Sequence, residues 1–510
     1  MKLLDLPYSS RRMPTVARNG MVATSQPLAA LAGLAMLEAG GTAVDAAIAA
    51  AAMLPVVEPT SNGIGGDAFA LVWDGTRMHG LNGSGRAPAA LNPDLLRELG
   101  HATMPTHGWL PVTVPGVPQA WHDLHQRFGR LDFERILTPA ISAAEAGYAV
   151  TPIVAQYWAY AARSLGALTD PAVAEWRRAF TRNGQAPAAG DVWRSRQMAR
   201  TLRRIAQSGS ADFYTGDLAE RIVQFAQRTG GYLTAADLAG HTSTWVDPIS
   251  TNYRGYDVWE IPPNGQGLTA LLALNILEGF DLGKSDRESI HAYHLQIEAM
   301  KLAFADAQRY IADPEHVHVP TKALLSKQYA ASRRALIGET AQLREPGQLP
   351  AGGTVYLCVA DGDGMMVSYI QSNYMGFGSG VVVPETAIAL QNRGAGFSLD
   401  PAHPNVLAPG KRPYHTIIPS FLTRDGAAIG PFGVMGGFMQ PQGHAQMVLN
   451  TLDWSLNPQA SLDAPRWQFT DGLNVMLEYG VSRHIIEGLQ ALGHRVSVQA
   501  EGGAFGRGQI

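Results

Sequence analysis

The sequence predicts a large enzyme of mixed helix and strand, in the α+β or α/β class. First, 46% of its 510 residues are hydrophobic and only 16% are charged, which excludes an intrinsically disordered chain. Second, helical periodicity dominates up to about residue 345, whereas short strands and Gly- or Pro-rich turns follow from about residue 350. Third, the length suits one deep-cored enzyme domain or several average domains.

Charge and cysteine content exclude several classes of protein. The chain has 39 Lys and Arg against 43 Asp and Glu, a net charge of −4, and no basic block that would indicate a nucleic-acid partner. Its single cysteine excludes a disulfide framework and zinc sites built from several thiolates. Asp5 and Pro7 interrupt any signal-peptide core, and the Ala-rich window 42–54 is too short to span a bilayer. We therefore expect a cytoplasmic protein without a membrane partner.

The first part of the chain is predicted to be mainly helical. Its first two helices are apolar on most sides, which is typical of buried helices, and Gly40 and Gly41 separate them. A segment rich in turn formers, 58–67, leads into a predicted strand at 68–73. The clearest helical segments are 27–38, 42–53, 217–229 and 289–311. The last two lie within a region, 117–345, that is predicted to be mainly helical.

The second part begins with a predicted hairpin. Residues 354–360 and 365–371 have strand character, and the Asp-Gly-Asp-Gly run at 361–364 between them is a strong turn signal. The polar segment 345–353, rich in Gly and Pro, predicts an exposed linker ahead of the hairpin. A helix is expected near 442–453.

The sequence Gly352-Gly353-Thr354 indicates a possible site of self-cleavage. Glycine tolerates strained backbone angles, so the Gly353 carbonyl could lie close to the Thr354 hydroxyl. Attack by this hydroxyl on the preceding peptide would give an ester, which water would cleave. Thr354 would then be a new N-terminus, and its α-amine could act as the base for its own hydroxyl. Taken alone, the tripeptide more often marks an ordinary entry from a loop into a strand.

A second glycine pair, Gly436 and Gly437, lies between a strand-like run and the last predicted helix. Such a pair could direct two backbone N–H groups into a cleft as an oxyanion hole. Taken alone, a tight turn without a ligand explains it better.

The ordered motifs of the chain resemble those of the γ-glutamyltranspeptidase family. Each motif is weak by itself, but together they follow the family's order: 21–27, 35–47, 58–66, 112–117, 352–354, 377–380, 411–413 and 435–437. The resemblance implies an α+β fold of the N-terminal nucleophile hydrolase type, a four-layer αββα sandwich, and a proenzyme that cleaves itself before a threonine. It also implies a large-subunit region, 1–353, and a small-subunit region, 354–510, intertwined in one domain.

Matched position by position, the resemblance assigns roles to individual residues. Thr354 matches the nucleophile, and Gly436 and Gly437 match the oxyanion-hole pair. Ser372 falls where the family has a hydroxyl residue that bonds the nucleophile's amine. Asn392 fits an asparagine beside the site.

The remaining matched positions concern the substrate. Arg86 lies near, but out of register with, the arginine that binds the substrate carboxylate, while His415 and Thr416 replace two carboxylate-binding serines. Arg393 and Gly396 stand where the glutamyl enzymes hold an α-ammonium group with a Gln and an acidic residue. Loss of a carboxylate partner removes about 1.5–3 kcal/mol of binding to a cation, and Arg393 would repel that cation. The pattern resembles oxamate amidohydrolase-like members and favours an anion without an α-amine.

Two classes of function follow. The favoured one is a self-processing amidohydrolase that cleaves a small oxamate-like amide through a Thr354 acyl-enzyme, with a γ-glutamyl hydrolase or transpeptidase acting on glutathione-like amides as its alternative. The other is a catalytically silent binding protein. Two departures from the family pattern support it: the changed substrate-binding positions, and the residues 505–510 in place of the Asp-Pro-Arg segment found in relatives. We expect no cofactor or metal. The expected partners are the substrate and the two subunits of one precursor, and assembly of these heterodimers into a homo-oligomer stays open.

Other reactive groups have simpler explanations. Cys358 has no basic residue nearby in the sequence and is expected to be a small buried side chain. The run at 63–67 lacks the Lys-Ser/Thr of a phosphate-binding loop, so a nucleotide site is rejected. Three histidine pairs have spacings that could bind a metal but lack nearby clusters of carboxylates: His122 and His125, His291 and His294, and His316 and His318.

Overall fold

The computed structural model describes Tyr8 and residues 12–344, 353–499 and 505–510. Of the predicted linker 345–353, residues 345–352 lie outside the described residues and Gly353 begins a strand; Asp5 and Pro7 also lie outside the described residues. The strands are β1 (Gly20–Thr24), β2 (Asp67–Trp73), β3 (Met78–Gly83), β4 (Tyr148–Ala149), β5 (Val192–Trp193), β6 (Thr244–Val246), β7 (Ile249–Tyr253), β8 (Tyr256–Glu260), β9 (Gly353–Asp361), β10 (Met366–Tyr374), β11 (Val382–Val383), β12 (Ile388–Ala389), β13 (Ser420–Arg424), β14 (Ala427–Val434), β15 (Trp467–Asp471), β16 (Asn474–Glu478), β17 (Arg495–Gln499) and β18 (Gly508–Gln509).

Short 3-10 turns at Leu165–Ala167, Leu282–Lys284 and Arg393–Gly396 accompany the α-helices. The α-helices are α1 (Pro27–Glu38), α2 (Ala43–Val57), α3 (Pro93–Glu98), α4 (Val117–Phe128), α5 (Phe133–Ala146), α6 (Pro152–Ser164), α7 (Ala174–Phe180), α8 (Arg196–Ser208), α9 (Ala211–Thr215), α10 (Asp217–Thr229), α11 (Ala235–Ala239), α12 (Gly267–Leu277), α13 (Ile290–Tyr310), α14 (Thr321–Leu324), α15 (Lys327–Arg334), α16 (Met439–Leu452), α17 (Pro458–Asp463) and α18 (Arg483–Ala491).

Two antiparallel sheets form the centre of the molecule. The first has the strand order β1-β9-β10-β2-β3-β6, and the second has the order β18-β14-β13-β8-β7. Both sheets combine strands from before and after the Gly353–Thr354 bond. In the first sheet, β9 and β10 lie between β1 and β2. In the second, β13 pairs with β8, and β14 pairs with β13. Smaller sheets are formed by β15-β16-β17, β11-β12 and β4-β5.

Alternation along β2 and β9 shows how the layers stack. Ala68, Ala70 and Val72 belong to the apolar core under helices α2, α4 and α5. Their neighbours Phe69 and Leu71 belong to a second core, which also contains Tyr356 of β9 and Phe421 of the second sheet. Since successive strand residues face opposite sides, this second core lies between the sheets. A third core joins the second sheet to α12, α13 and α16. The predicted four-layer αββα sandwich is therefore confirmed.

Most predicted elements are present, with one informative difference in α2. The predicted end near Met53 is wrong, because the helix continues through Pro55 to Val57. Proline lacks the N–H that would bond the carbonyl four residues earlier, that of Ala51. The side chain of Gln371 supplies the missing donor, with its Nε2 2.9 Å from the Ala51 oxygen.

The last described residues are tied into the second sheet. β18 pairs with Gly433 and Val434 of β14, and the Met435 N–H donates to the Arg507 carbonyl. The Arg507 side chain also forms an ion pair with the buried Glu58. These contacts pack 505–510 against β14 and Glu58. In the described ranges, no helix combines the length and apolarity needed to cross a membrane.

Candidate active site

The predicted nucleophile lies at the start of a central strand. Thr354 is the second residue of β9, and its side chain points between the sheets with only 3% of its surface exposed. β10 pairs regularly with β9 up to Gln371 and then bulges before Tyr374 pairs with Gly353. This bulge brings Ser372 beside the start of β9, with its Oγ 3.3 Å from Thr354 Oγ1. Sequence matching had placed these two residues in one site, and the strand pairing brings them together.

Ser372 is the centre of a small hydrogen-bond network. Its hydroxyl donates to the Gly353 carbonyl at 2.7 Å, so it bonds the peptide that self-cleavage would break. Its oxygen accepts from the Tyr374 backbone N–H at 2.8 Å and from Arg393 Nη2 at 3.0 Å. Tyr374 has a φ of 78°, a rare conformation for a residue with a side chain, within the bulge that directs its N–H toward Ser372.

Gly436 and Gly437 form the turn between β14 and α16. Their φ angles of 127° and 61° lie in the region that favours glycine, which explains the residue type at both positions. Within the described residues, neither backbone N–H donates to a protein acceptor. Gln440, in the first turn of α16, lies beside the predicted nucleophile, with its Nε2 3.5 Å from Thr354 Oγ1. This geometry is compatible with an oxyanion hole at the glycine pair.

Arg393 is a fully buried cation beside Ser372. Its Nη1 donates to Thr416 Oγ1 at 2.6 Å, and its guanidinium stacks 4.3 Å from the centre of the Tyr374 ring. Among the described residues, no carboxylate forms an ion pair with it, and its Nε has no partner. Burial lowers the pKa of Arg393 to about 10, so the group stays charged at neutral pH. A buried cation without a direct counter-ion is unfavourable unless an anion binds there.

Asp67 is a functional candidate that sequence reasoning missed. It lies opposite Ser372 in the pairing of β2 with β10, fully buried, and accepts hydrogen bonds from Gln391 Nε2 at 2.8 Å and the Gly85 N–H at 3.1 Å. Burial raises the pKa of Asp67 to about 7, although the nearby charge of Arg393 acts in the opposite direction. The signal in the sequence was a carboxylate directly after a glycine pair at the start of a strand, but only the strand register places it at the site.

His415 contacts Asp67, with its Nε2 3.0 Å from Asp67 Oδ2. Burial, followed by the charges of Arg393 and Arg412, lowers the pKa of His415 well below its usual value, so the ring is neutral. The Ile417 N–H donates to its Nδ1, which leaves the proton on Nε2 as the donor to Asp67. Among its described contacts, His415 therefore supports the site through Asp67, whereas Thr416 contacts Arg393 itself.

The other two predicted binding residues differ in position. Asn392 lies beside the site, where its Oδ1 accepts from the Met375 N–H at 3.1 Å and its Nδ2 donates to the Thr106 carbonyl at 2.8 Å. Arg86 forms a 2.7 Å ion pair with Glu315 and donates to the Gly410 carbonyl. Its described contacts do not include any member of the Thr354 network.

Cys358 and the glycine-rich run at 63–67, two other features weighed in the sequence, are both packed inside the protein. Burial raises the pKa of Cys358 to about 12, so its thiol stays protonated between the sheets. The run at 63–67 packs against the chain, since a Cβ on Gly65 would lie 2.3 Å from the Ala389 carbonyl oxygen.

One group of possible metal ligands was not anticipated. In the described part of the chain, His294, Glu298 and His494 are buried with ligand atoms within 4.8 Å of one another. His294 Nδ1 already lies 2.9 Å from His494 Nε2, and Lys301 Nζ lies 2.7 Å from Glu298 Oε1. The Lys301 ammonium opposes a cation at this position. The group acts as a polar link between α13 and the residue that precedes β17.

Two antiparallel sheets between helical layers, with a central strand that opens on a buried threonine, define an N-terminal nucleophile hydrolase. A family model described as gamma-glutamyltranspeptidase matches residues 29–510. The chain therefore belongs to the γ-glutamyltranspeptidase family, which confirms the family prediction.

Individual relatives cover nearly the whole chain. A glutathione hydrolase-like YwrD proenzyme of Bacillus subtilis (strain 168) is 37% identical over 491 residues, 94% of this chain and 91% of that protein. An oxamate amidohydrolase proenzyme of Klebsiella pneumoniae is 35% identical over 504 residues, with coverage of 95% and 93%. The crystal structure of a cephalosporin acylase from Bacillus halodurans superimposes with a TM-score of 0.95 at 56% identity, covering 99% of this chain and 94% of that one. The chain is thus an amidohydrolase of a family whose members are made as proenzymes.

Proposed function

We propose that this protein cleaves itself between Gly353 and Thr354 and then hydrolyses the amide bond of a small carboxylate that lacks an α-amine, with oxamate as the simplest example. The observation that carries the proposal is the buried Arg393 guanidinium, one hydroxyl away from Thr354 and without a carboxylate partner among the described residues. Such a cation attracts an anionic acyl group and repels the α-ammonium of a γ-glutamyl group.

The proposed reaction uses the threonine twice. The freed α-amine of Thr354 takes the hydroxyl proton while the oxygen attacks the amide carbon of the substrate. The N–H groups of Gly436 and Gly437 stabilise the oxyanion, each typically by about 2.7–4 kcal/mol. The amine then returns the proton to the leaving ammonia or amine, and water hydrolyses the acyl ester on Thr354.

Arg393 would hold the substrate carboxylate during these steps. A guanidinium has five N–H donors, of which one is used on Ser372 and one on Thr416 in the uncleaved chain. The remaining donors can bind a carboxylate. Ser372, released from the Gly353 carbonyl by the cut, would be free to bond the new amine.

A second candidate is acylase activity on larger amides. It is favoured by the 56% identity to the cephalosporin acylase structure over nearly the full length of both chains. The same anion requirement applies, so the larger substrate would carry a terminal carboxylate on the acyl group that is removed. The glutamyl alternative predicts the opposite preference, for an acyl group with an α-ammonium.

Two matched substrate pairs test the proposal. Oxamate and oxamide differ in the carboxylate, and glutaramate and L-glutamine differ only in the α-amine. We expect oxamate to exceed oxamide, and glutaramate to exceed L-glutamine, by about 10- to 150-fold in kcat/KM, the worth of one interaction with a charged group. Ammonia release measures the simple amides, and a cephalosporin with a carboxylate-terminated acyl chain tests the acylase candidate. Faster turnover of L-glutamine and glutathione than of glutaramate and oxamate would establish the glutamyl alternative instead.

Variants of Thr354 separate an enzyme from a silent relative. Thr354→Ala is expected to stay as one chain on a denaturing gel and to release no ammonia, whereas Thr354→Ser should retain part of both activities because it keeps a hydroxyl. Full amidase activity of Thr354→Ala would remove this residue from the mechanism. A wild-type chain that remains whole and inactive would favour the binding-protein hypothesis.

A further inference from the structure

Arg393, the proposed substrate-binding cation, is also linked through Ser372 to the predicted cleavage site. Its Nη2 lies 3.0 Å from Ser372 Oγ, and Ser372 Oγ lies 2.7 Å from the Gly353 carbonyl oxygen. That carbonyl is the group that Thr354 would attack during self-cleavage. The guanidinium is therefore joined to the scissile peptide through a single hydroxyl.

We propose that Arg393 promotes the self-cleavage step as a positioning residue acting through Ser372, in addition to binding the substrate anion. This inference rests on the proposed function for the identity of the cleaved bond. It does not depend on which substrate the mature enzyme uses.

The contacts of Ser372 describe a closed proton relay. The Thr354 hydroxyl donates toward Ser372 Oγ, and Ser372 donates to the Gly353 carbonyl oxygen. As Thr354 Oγ1 bonds to the Gly353 carbon, Ser372 gives its proton to the carbonyl oxygen and then takes up the proton that Thr354 loses. The C–N bond then breaks, the Thr354 nitrogen takes up the proton held by the former carbonyl oxygen, and an ester remains. Water hydrolyses the ester to a Gly353 carboxylate and a free Thr354, so water is the only co-reactant.

Negative charge develops on Ser372 Oγ while the two protons move. Two donors already face this oxygen, Arg393 Nη2 and the Tyr374 N–H. Because Ser372 and Arg393 are fully buried, these fixed donors act with little screening by water. Thr416 and the Tyr374 ring hold the guanidinium in this position.

The test measures cleavage of freshly synthesised full-length chains without any substrate. Radiolabelled chains from cell-free translation are followed on denaturing gels, and the cut is located by mass spectrometry. We expect Arg393→Ala to cleave about 10- to 150-fold more slowly, the effect of losing one charge-assisted hydrogen bond, and Arg393→Lys to lie between Arg393→Ala and wild type. Added guanidinium ion should restore part of the rate in Arg393→Ala. Arg287→Lys, at a buried arginine bonded to Asn450 and the Pro465 carbonyl, is the matched control and should cleave at the wild-type rate.

Wild-type cleavage by Arg393→Ala would overturn the inference. So would Arg393→Lys cleaving no faster than Arg393→Ala, or a slow Arg393→Ala that guanidinium ion does not accelerate, because both results indicate a packing role only. If Arg393→Ala does not fold, as judged by circular dichroism, the comparison of Arg393→Lys with Arg287→Lys decides, and equal rates overturn the inference. Self-cleavage is measured without substrate, and ammonia release is measured separately and divided by the number of free Thr354 termini. A wrong substrate assignment therefore leaves the cleavage result unaffected.

Discussion

The carboxyl group of Asp67 is held in surroundings that favour its neutral form. Burial raises its pKa to about 7, whereas an unfolded Asp titrates near about 3.9. Between these values the folded chain binds a proton that the unfolded chain has released. The free energy of unfolding should therefore decrease as the pH rises from about 4 to about 7.

Asp67→Asn should remove this pH dependence. The amide cannot ionise, so we expect a flatter dependence of stability on pH between about 4 and 7, with the wild-type slope at most about 1.4 kcal/mol per pH unit. Urea unfolding in the uncleaved Thr354→Ala background avoids mixing cleaved and intact chains. Asp94→Asn, at a carboxylate that is 84% exposed, is the control. An unchanged slope in Asp67→Asn would show that Asp67 is ionised throughout this range.

Sequence matching predicted residues whose type is itself informative. Thr354, Ser372 and the two glycines were predicted in this way, and the structure brings Thr354, Ser372 and Arg393 into one network. Asp67 and Tyr374 were missed because their importance depends on strand register and on a bulge, which residue type does not reveal. Arg86 was predicted to bind substrate because it lies close to a family motif in the sequence. In the structure its side chain pairs with Glu315 instead.

Among the elements, local patterns were the most predictable. The helix predicted at 217–229 coincides with α10, and the hairpin of β9 and β10 forms around the predicted turn. Pairing between distant segments was not predictable, as with β1 beside β9 or the two-residue β18 beside β14. Such strands lack a periodic signal of their own and depend on tertiary contacts.

The element most open to a simple test is β18. Arg507, directly before it, pairs with Glu58, whose side chain is fully buried and also accepts from Ser25 and Gln26 at 2.7 and 2.8 Å. Arg507→Ala leaves that carboxylate without its cation, so we expect a loss of about 1–3 kcal/mol in the free energy of unfolding. Arg483→Ala, which breaks an ion pair at an arginine that is 89% exposed, should cost less than about 0.5 kcal/mol. Equal effects of the two variants in urea titrations would show that the buried pair contributes no more than a surface pair.

Across the whole molecule, the proposed cut divides chain segments that remain interleaved. β9 and β10 follow the bond at 353/354 but lie between β1 and β2, which precede it. In the other sheet, β13 pairs with β8 across the same division. The buried link of His294 and Glu298 with His494 also joins the two regions. Composition and periodicity predicted only a mixed-class enzyme, and the layered arrangement came from the family resemblance, because non-local pairing leaves no local signal.

The two fragments of the cleaved protein should therefore stay together under native conditions. Their separation would expose the edges of β9 and β10 and the apolar cores on both sides, so it requires unfolding of the sandwich. We expect both fragments to co-elute in size-exclusion chromatography in buffer, including at high salt, and to separate only at urea concentrations that also unfold the protein by circular dichroism. Uncleaved Thr354→Ala should elute at the same volume as the native cleaved protein. Separate elution of folded fragments in buffer would contradict the shared-sheet architecture as the basis of their association.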